Sequence, residues 1–169
     1  RIRLARNLYD FPFPAKLDIS GKNKINELIK GILFENDRKD FSYIEMKDLS
    51  RIQAVSLAES HLISPEFASK KDGSALVLSS DESVSIMLCE EDHIRLQVME
   101  SGLALDSAYK RADSIDNAIS SKLKLAFDER IGFLTRCPTN LGTAMRASVM
   151  LHLPGLGKSG QITKIAATV

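Results

Sequence analysis

The amino-acid sequence predicts an α+β fold in which helices flank a largely antiparallel β-sheet. Two short strand-like runs, residues 75–78 and 84–88, are separated by acidic turn residues, a pattern typical of a hairpin. A long amphipathic helix is predicted over residues 105–124, where apolar residues recur at helical spacing. Because strands and helices do not alternate as βαβ units, antiparallel pairing is expected to dominate the sheet.

The remaining elements are predicted from local periodicity and turn chemistry. Further strands are expected at residues 1–8, 41–46, 93–99, 131–135 and 145–153. Ser20 is the expected cap of a helix that reaches Leu33, and Ser64-Pro65 should open a short helix. A helix from Asp48 is expected to turn four residues inward: Leu49, Ile52, Val55 and Ala58. A last helix is predicted from Ser159.

The composition is that of an ordinary globular domain. Of the 169 residues, 44% are hydrophobic and 27% are charged. The net charge of +1 gives no general attraction to nucleic acid or to an anionic membrane, so a bound polyanion needs a local basic cluster. Cys89 and Cys137 lack the spacing of a zinc site, and a reducing, cytoplasmic location is predicted. The chain opens without methionine, so residues 1–169 are expected to be part of a longer protein.

A dense group of charges lies between two predicted strands, in the segment Glu90-Glu91-Asp92-His93-Ile94-Arg95. Adjacent carboxylates repel one another unless a cation or a ligand lies near them. Taken alone, such a segment is more typical of a solvated turn than of a functional site.

A second candidate is the loop Cys137-Pro138-Thr139-Asn140-Leu141-Gly142-Thr143. The proline directs the chain and the glycine permits unusual backbone angles, so the loop could present a thiol and backbone N–H groups to a ligand. A buried structural cysteine explains the same residues equally well.

Four arginines form the third candidate: Arg1, Arg3, Arg95 and Arg146. Three of them lie in alternating, strand-like surroundings, so their side chains can point toward one face. Arginine forks bind phosphate oxygens with two hydrogen bonds, although a surface salt bridge explains each arginine singly. By contrast, Gly157-Lys158-Ser159 is not a P-loop, because His152 stands where that motif requires a glycine.

Taken in order, these segments resemble the signatures of the guanidino kinases, the ATP:guanido phosphotransferase family that includes arginine and creatine kinases. The alternating-arginine strand of the family corresponds to residues 1–3, its C-P-T-N-x-G-T loop to 137–143 and its R-A-S-V segment to 146–149. The N-E-E-D-H-x-R segment corresponds to residues 89–95, with Cys89 in place of asparagine. Three segments resemble the bacterial protein-arginine kinase branch: residues 3–7, 61–65 and 81–87.

The resemblance implies a role for each matching residue. Glu91 would orient the target guanidinium and accept its proton, and Cys137 would contact the same group as a thiolate. The ATP phosphates would be held by Arg1, Arg3, Arg95 and Arg146. His61 would lie beside the nucleotide, which further residues would line: Ile2, Ala147, Ser148, Val149 and Met150. Mg²⁺ would be held mainly by the nucleotide and by water, with no protein ligand named.

The function implied by this resemblance is a protein-arginine kinase that marks proteins for regulated proteolysis in a stress response. A zinc-finger activator protein, an AAA+ unfoldase-protease and a second copy of the protein are the implied partners. One alternative is a phosphagen kinase that acts on free arginine or a related small guanidine. A second alternative is an inactive adaptor that binds nucleotide or phosphoarginine. The pair Glu91 and Cys137 argues against the adaptor, because binding alone requires neither residue.

Overall fold

The computed structural model describes residues 1–35 and 40–168. Its strands are β1 Ile2–Arg6, β2 Phe41–Glu45, β3 Ala75–Ser79, β4 Val84–Leu88, β5 Ile94–Val98, β6 Phe127–Asp128, β7 Gly132–Phe133 and β8 Met145–Ala147. Six of them form one sheet in the order β2-β3-β4-β5-β1-β8, and every neighbouring pair is antiparallel. The short β6 and β7 form a separate hairpin. The predicted α+β class with an antiparallel sheet is confirmed.

The helices are α1 Ile19–Leu33, α2 Arg51–Glu59, α3 Pro65–Ala68, α4 Leu105–Ser120, α5 Pro154–Lys158 and α6 Ile162–Ala166. Asp18, rather than the expected Ser20, caps α1, because its carboxylate accepts a hydrogen bond from the Gly21 N–H at 2.7 Å. Ser64 caps α3 as predicted, and Pro65 occupies the first helical position.

One face of the sheet is buried under α1 and α4. Alternate residues of the strands contribute apolar side chains to this core, among them Ile2, Leu4, Ile86 and Leu96. The helices complete it with Ile25, Ile29, Leu33, Ala108, Ala112, Ile115 and Ile119. Each fully buried side chain of this size contributes about 1.5–3 kcal/mol of hydrophobic stabilisation.

The opposite face is covered only in part. The helices α2 and α3 pack over its β2–β4 side, where Met46, Phe67, Leu76 and Met87 form a second buried cluster. The β5, β1 and β8 side of the same face carries the arginines instead. The sheet therefore presents an open, basic surface beside a covered, apolar one.

Three predictions at the level of elements differ from the structure. Ile52 and Val55 do not face inward: they are 83% and 44% exposed, and α2 packs through the small Ala54. The strand expected over residues 145–153 ends at Ala147, and the Ser148 N–H donates to the Arg1 carbonyl at 2.9 Å. The helix predicted from Ser159 begins at Ile162 as α6, and the short α5 precedes Ser159. Within the described residues, no helix has both the length and the apolar character needed to cross a membrane.

Candidate active site

Strand register brings the four predicted arginines together. Arg3 on β1 lies directly opposite Arg146 on β8, so the two side chains share one face of the sheet. On the other side of β1, Arg95 lies opposite Ala5, two residues beyond Arg3, which places it on the same face. Arg1 precedes Arg3 by two positions and completes the group. We call Arg1, Arg3, Arg95 and Arg146 the arginine cluster.

A buried donor without a partner in the described part of the chain lies at the centre of the arginine cluster. The Nε of Arg3 is buried and has no hydrogen-bond partner among the described residues. Burial, together with the positive charges of Arg1, Arg95 and Arg146, lowers the pKa of Arg3 to about 10. Leaving a buried donor unpaired costs about 1–3 kcal/mol. An anionic ligand would remove this cost, so the arginine cluster fits a phosphate group.

Glu90 links the arginine cluster to the turn between β4 and β5. Its buried carboxylate accepts hydrogen bonds from Ser64 Oγ at 2.8 Å, from Arg95 Nη1 at 2.8 Å and from the Glu91 N–H at 3.1 Å. Burial alone would raise the pKa of Glu90, but the hydrogen bond and charge of Arg95 and the bond from Ser64 outweigh it and lower that pKa. Glu90 is therefore ionised and fully engaged.

Glu91 is placed differently, although it is the next residue. Its half-buried side chain has no hydrogen-bond partner among the residues that the structure describes. It lines a small cavity with Arg3, Arg95 and Arg146, and it also lines a cleft of about 530 Å³ that contains Cys137. The Glu91 carboxylate, which has no partner among the described residues, thus lies between the arginine cluster and the Cys137 thiol.

Asp92 and His93 of the same segment have structural roles. The Asp92 carboxylate accepts hydrogen bonds from Asn7 Nδ2 at 2.7 Å and from the Arg136 N–H at 2.8 Å. His93 is completely buried, and its Nδ1 accepts the Leu8 N–H at 3.0 Å, which leaves Nε2 to donate to the nearby Pro12 carbonyl. Burial lowers the pKa of His93, so the ring is neutral. These contacts fix the turn from which Glu91 extends.

The loop that carries Cys137 is closed by two glycines. Gly132 packs against Gly142 so closely that a Cβ at Gly132 would lie 2.3 Å from the Gly142 carbonyl oxygen. The Phe133 N–H donates to the same oxygen at 2.8 Å. The half-buried Cys137 Sγ lies 3.0 Å from Thr139 Oγ1 and faces the cleft that Glu91 shares. Sequence reasoning had left a buried structural cysteine open, and the structure favours the accessible thiol.

Cys89 is the opposite kind of cysteine. It is buried, its Sγ lies 3.6 Å from Asn26 Oδ1, and burial raises its pKa to about 12. Its φ of 57° lies in the left-handed region, which asparagine tolerates better than other side chains do. The substitution therefore leaves the turn in the conformation that the family's asparagine favours.

A larger cleft, of about 670 Å³, adjoins the arginine cluster at Arg1. It contains four of the predicted nucleotide-binding residues: His61, Ser148, Val149 and Met150. Arg1 Nε donates to Ser148 Oγ at 3.1 Å, which joins this cleft to the arginine cluster. Sequence reasoning missed the loop from Met99 to Leu103 on the far wall, because a short polar loop carries no binding signal of its own.

The side chains of Ile2 and Ala147, two of the predicted nucleotide-lining residues, lie on the face opposite the arginine cluster. They pair with each other across β1 and β8, one position away from the arginines, and therefore point to the opposite face. Ile2 is buried in the core. Any contact with a nucleotide on the arginine face would have to come from their backbone.

Within residues 1–35 and 40–168, no group of three or more His, Cys, Asp or Glu side chains could hold a metal ion. The donor set of the site is cationic rather than acidic, which fits phosphate oxygens. Mg²⁺ would therefore be compatible with this site as part of a nucleotide complex.

The site thus places an arginine cluster, which fits an anionic ligand, beside an unengaged carboxylate and an accessible thiol. The sequence model of the ATP:guanido phosphotransferase C-terminal catalytic domain matches residues 24–169, and the chain belongs to this family.

Curated relatives carry a more specific name. The protein-arginine kinase of Halothermothrix orenii is 40% identical over 169 residues, which are 100% of this chain and 48% of that protein. The protein-arginine kinase of Caldanaerobacter subterraneus is 47% identical over 173 residues, covering 100% of this chain and 51% of the relative. The chain thus spans about half the length of these relatives.

Solved structures show the same fold. Lombricine kinase superposes with a TM-score of 0.79 at 22% identity, over 98% of this chain and 50% of that one. The duplicated taurocyamine kinase of Schistosoma mansoni, with bound components of a transition-state analogue, superposes with a TM-score of 0.78 at 28% identity. That match covers 92% of this chain and 24% of the taurocyamine kinase.

Proposed function

We propose that this chain carries the phosphotransfer site of a protein-arginine kinase, which moves the γ-phosphate of ATP to arginine guanidinium groups in proteins. The observation that carries the proposal is the position of Glu91, whose unengaged carboxylate lies between the arginine cluster and the cleft of Cys137. The similarity of the whole chain to protein-arginine kinases supports the choice of substrate.

The arginine cluster would bind and neutralise the ATP phosphates. Arg3 and Arg146 lie side by side, and Arg95 is already oriented by Glu90, so little reorganisation is needed as charge moves in the transition state. The adenine and ribose would occupy the cleft that contains His61 and Ser148. Mg²⁺ would enter with the nucleotide and reduce the negative charge of its phosphates.

Glu91 and Cys137 would act on the acceptor. A guanidinium has a pKa of about 12.5–13.8 and is a poor nucleophile in water. Glu91 would orient it and accept its proton while the new N–P bond forms and the bond from the γ-phosphorus to the leaving oxygen of ADP breaks. A Cys137 thiolate would form a second contact to the cation. Holding both reactants in line supplies much of the rest of the rate enhancement.

The wider biological setting follows from the resemblance alone. We propose regulated proteolysis in a stress response, a cytoplasmic location, a homodimer, and partnership with a zinc-finger activator and an AAA+ unfoldase-protease. The two free cysteines, Cys89 and Cys137, agree with a reducing compartment.

A free guanidino compound is the second candidate substrate, and one observation favours it. The Cys137 cleft is rimmed by exposed charges of both signs, Glu66, Lys70 and Arg136. Glu66 could contact the ammonium group of free arginine, and the two basic residues could contact its carboxylate. In a protein substrate, the same residues would contact the flanking side chains.

A labelling experiment with the full-length natural protein separates the two candidates. The protein is incubated with γ-labelled ATP and either an unstructured arginine-rich protein or free arginine, and the acid lability of each product is measured. Acid-labile label on the protein substrate alone is expected. Label on free arginine alone would establish the phosphagen kinase, and label on neither would favour the adaptor. In the same assay, Cys137→Ser should weaken transfer strongly without abolishing it.

A further inference from the structure

We propose that Glu90 is a positioning residue for phosphoryl transfer, which holds Arg95 and the backbone of Glu91 in one arrangement and is itself anchored by Ser64. This inference rests on the proposed function, because it assigns Arg95 to the nucleotide and Glu91 to the acceptor. Glu90 would link these two halves of the reaction through a single carboxylate.

The carboxylate of Glu90 is buried, and three of its about four acceptor positions are used within the protein. One oxygen, Oε1, accepts the Ser64 hydroxyl, and the other, Oε2, accepts both Arg95 Nη1 and the Glu91 N–H. The Glu90 side chain is only 6% exposed, whereas that of Arg95 is 26% exposed. Glu90 therefore acts through its neighbours, and Arg95 is the member of the pair that can reach a ligand.

The contact leaves most of the Arg95 fork available. Only Nη1 is held by Glu90, so other N–H groups of the guanidinium can bind phosphate oxygens. The bond to the Glu91 N–H fixes the backbone from which the catalytic carboxylate extends. The distance between Arg95, which binds phosphate, and Glu91, which accepts the proton, then depends on the position of the Glu90 carboxylate. A displacement of about 1 Å in such an arrangement can cost about 10²-fold in rate.

Ser64 connects this arrangement to the second buried cluster. Its hydroxyl donates to Glu90, and the same oxygen accepts the Phe67 N–H at 3.1 Å as the cap of α3. Phe67 is completely buried. The position of Glu90 is thus set by the packing of α3 on the sheet as well as by the turn that contains Glu91.

The first test compares Glu90→Gln with Asp116→Asn in the full-length natural protein. Asp116 forms an equally close ion pair with Arg6 on the opposite face and serves as the control for loss of a buried carboxylate. We expect Glu90→Gln to lower kcat by about 10–100-fold while KM and Kd for ATP stay within about threefold. Asp116→Asn should lower Tm and leave kcat unchanged.

A purely electrostatic role for Glu90 predicts a different result. Its negative charge partly offsets the arginine cluster, so a neutral residue would then tighten ATP binding without lowering kcat. That result would overturn the proposal. Equal losses of kcat in Glu90→Gln and Asp116→Asn, each in proportion to the fall in Tm, would overturn it as well.

A second pair of variants covers the case in which Glu90→Gln does not fold. Ser64→Ala removes one hydrogen bond to Glu90 together with the α3 cap, and Ser50→Ala removes only the cap of α2. We expect kcat to fall by about three- to tenfold in Ser64→Ala and to be unchanged in Ser50→Ala. Equal activity in the two variants would contradict the proposal.

Crystal structures provide a readout that does not depend on activity. In the natural protein, the Arg95 guanidinium should remain in contact with Glu90. In Glu90→Gln, the Arg95 guanidinium should no longer occupy a single position. If Glu90→Gln does not fold, Ser64→Ala should show the same loss. An unmoved Arg95 would overturn the positioning role whether or not the protein phosphorylates arginine. An absence of phosphate transfer by the natural protein, with Arg95 displaced in the variant, would instead reject the proposed function alone.

Discussion

Arg3 and Arg6 lie three residues apart on β1, but their side chains lie on opposite faces of the sheet and differ in their hydrogen-bond partners. Arg6 points to the face under α4, where it forms a bidentate ion pair with Asp116, with Nη2 2.8 Å from the carboxylate, and stacks over Phe133 at 3.7 Å. Arg3 points to the other face, among three further arginines, and its buried Nε has no partner among the described residues.

The difference shows which arginine stabilises the fold and which is available to a ligand. All three guanidinium nitrogens of Arg6 donate hydrogen bonds inside the protein, with Nη1 also donating to the Ala5 and Thr143 carbonyls at 2.8 and 3.2 Å. Arg3 carries an unpaired donor and repulsion from like charges, both of which cost stability. A site that destabilises the unliganded protein is expected where a ligand supplies the missing charge. Four experiments test how the structural and the ligand-accessible groups of this protein differ.

The largest effect is expected on the arginine face, at Glu91. Glu91→Gln should lower kcat for phosphate transfer by at least about 10³-fold, because the variant cannot accept the guanidinium proton. ATP affinity, measured by calorimetry, should stay largely intact. Near-normal turnover would remove Glu91 from the mechanism.

The next effect concerns stability, at Arg6. Arg6→Ala should lower the free energy of unfolding by about 3–5 kcal/mol, because it leaves the Asp116 carboxylate buried without its partner. Urea denaturation of the full-length protein measures this loss. The double variant Arg6→Ala/Asp116→Ala should recover part of it. A loss below about 1 kcal/mol would mean that the pair contributes no more than a surface salt bridge.

Substitution of Arg3, unlike that of Arg6, is expected to affect ATP binding rather than to reduce stability. Arg3→Met keeps an unbranched side chain and removes both the buried, unpaired Nε–H and a positive charge that its neighbours repel, so the free energy of unfolding should be unchanged or higher. ATP affinity should fall by about 10–100-fold, the value of one charge-assisted hydrogen bond to phosphate. Arg95→Ala and Arg146→Ala should weaken ATP binding in the same direction. Unchanged affinity in all three variants would rule out the arginine cluster as the phosphate site.

The smallest effect separates the two cysteines. Burial raises the pKa of Cys89 from its ordinary value of 9.0 to about 12, so the unfolded thiol ionises first as pH rises. The contribution of the Cys89 thiol to the free energy of unfolding is fully present below pH 9 and should be lost between pH 9 and 12. Cys89→Ala should therefore flatten the decline of unfolding free energy over that range.

Chemical modification separates the two thiols by their accessibility. Cys137 is half-buried at the cleft, whereas Cys89 is buried in the core. An alkylating reagent should modify Cys137 in the native protein and reach Cys89 only after unfolding. Modification of both thiols at equal rates would contradict the burial of Cys89.

Much of the fold and the site was predictable from the sequence because the signals were local. Short strand-like runs joined by acidic turn residues predicted β3 and β4, and the proline after Ser64 marked the start of α3. The ordered motifs around Glu91 and Cys137 identified the family before any contact was known. Alternation on β1 also put Arg1 and Arg3 on one face.

What the sequence could not determine depended on contacts between distant segments. Only the register between β1 and β8 placed Arg146 beside Arg3 and turned Ile2 and Ala147 away. Glu90 and Glu91 are chemically identical neighbours, and contacts with Arg95 and with Ser64, which is 26 positions away, fix only Glu90. The exposure of Ile52 likewise followed from how α2 packs on the sheet. Local patterns specify which elements form, but the distribution of charge and burial over their faces depends on long-range packing, which no local window contains.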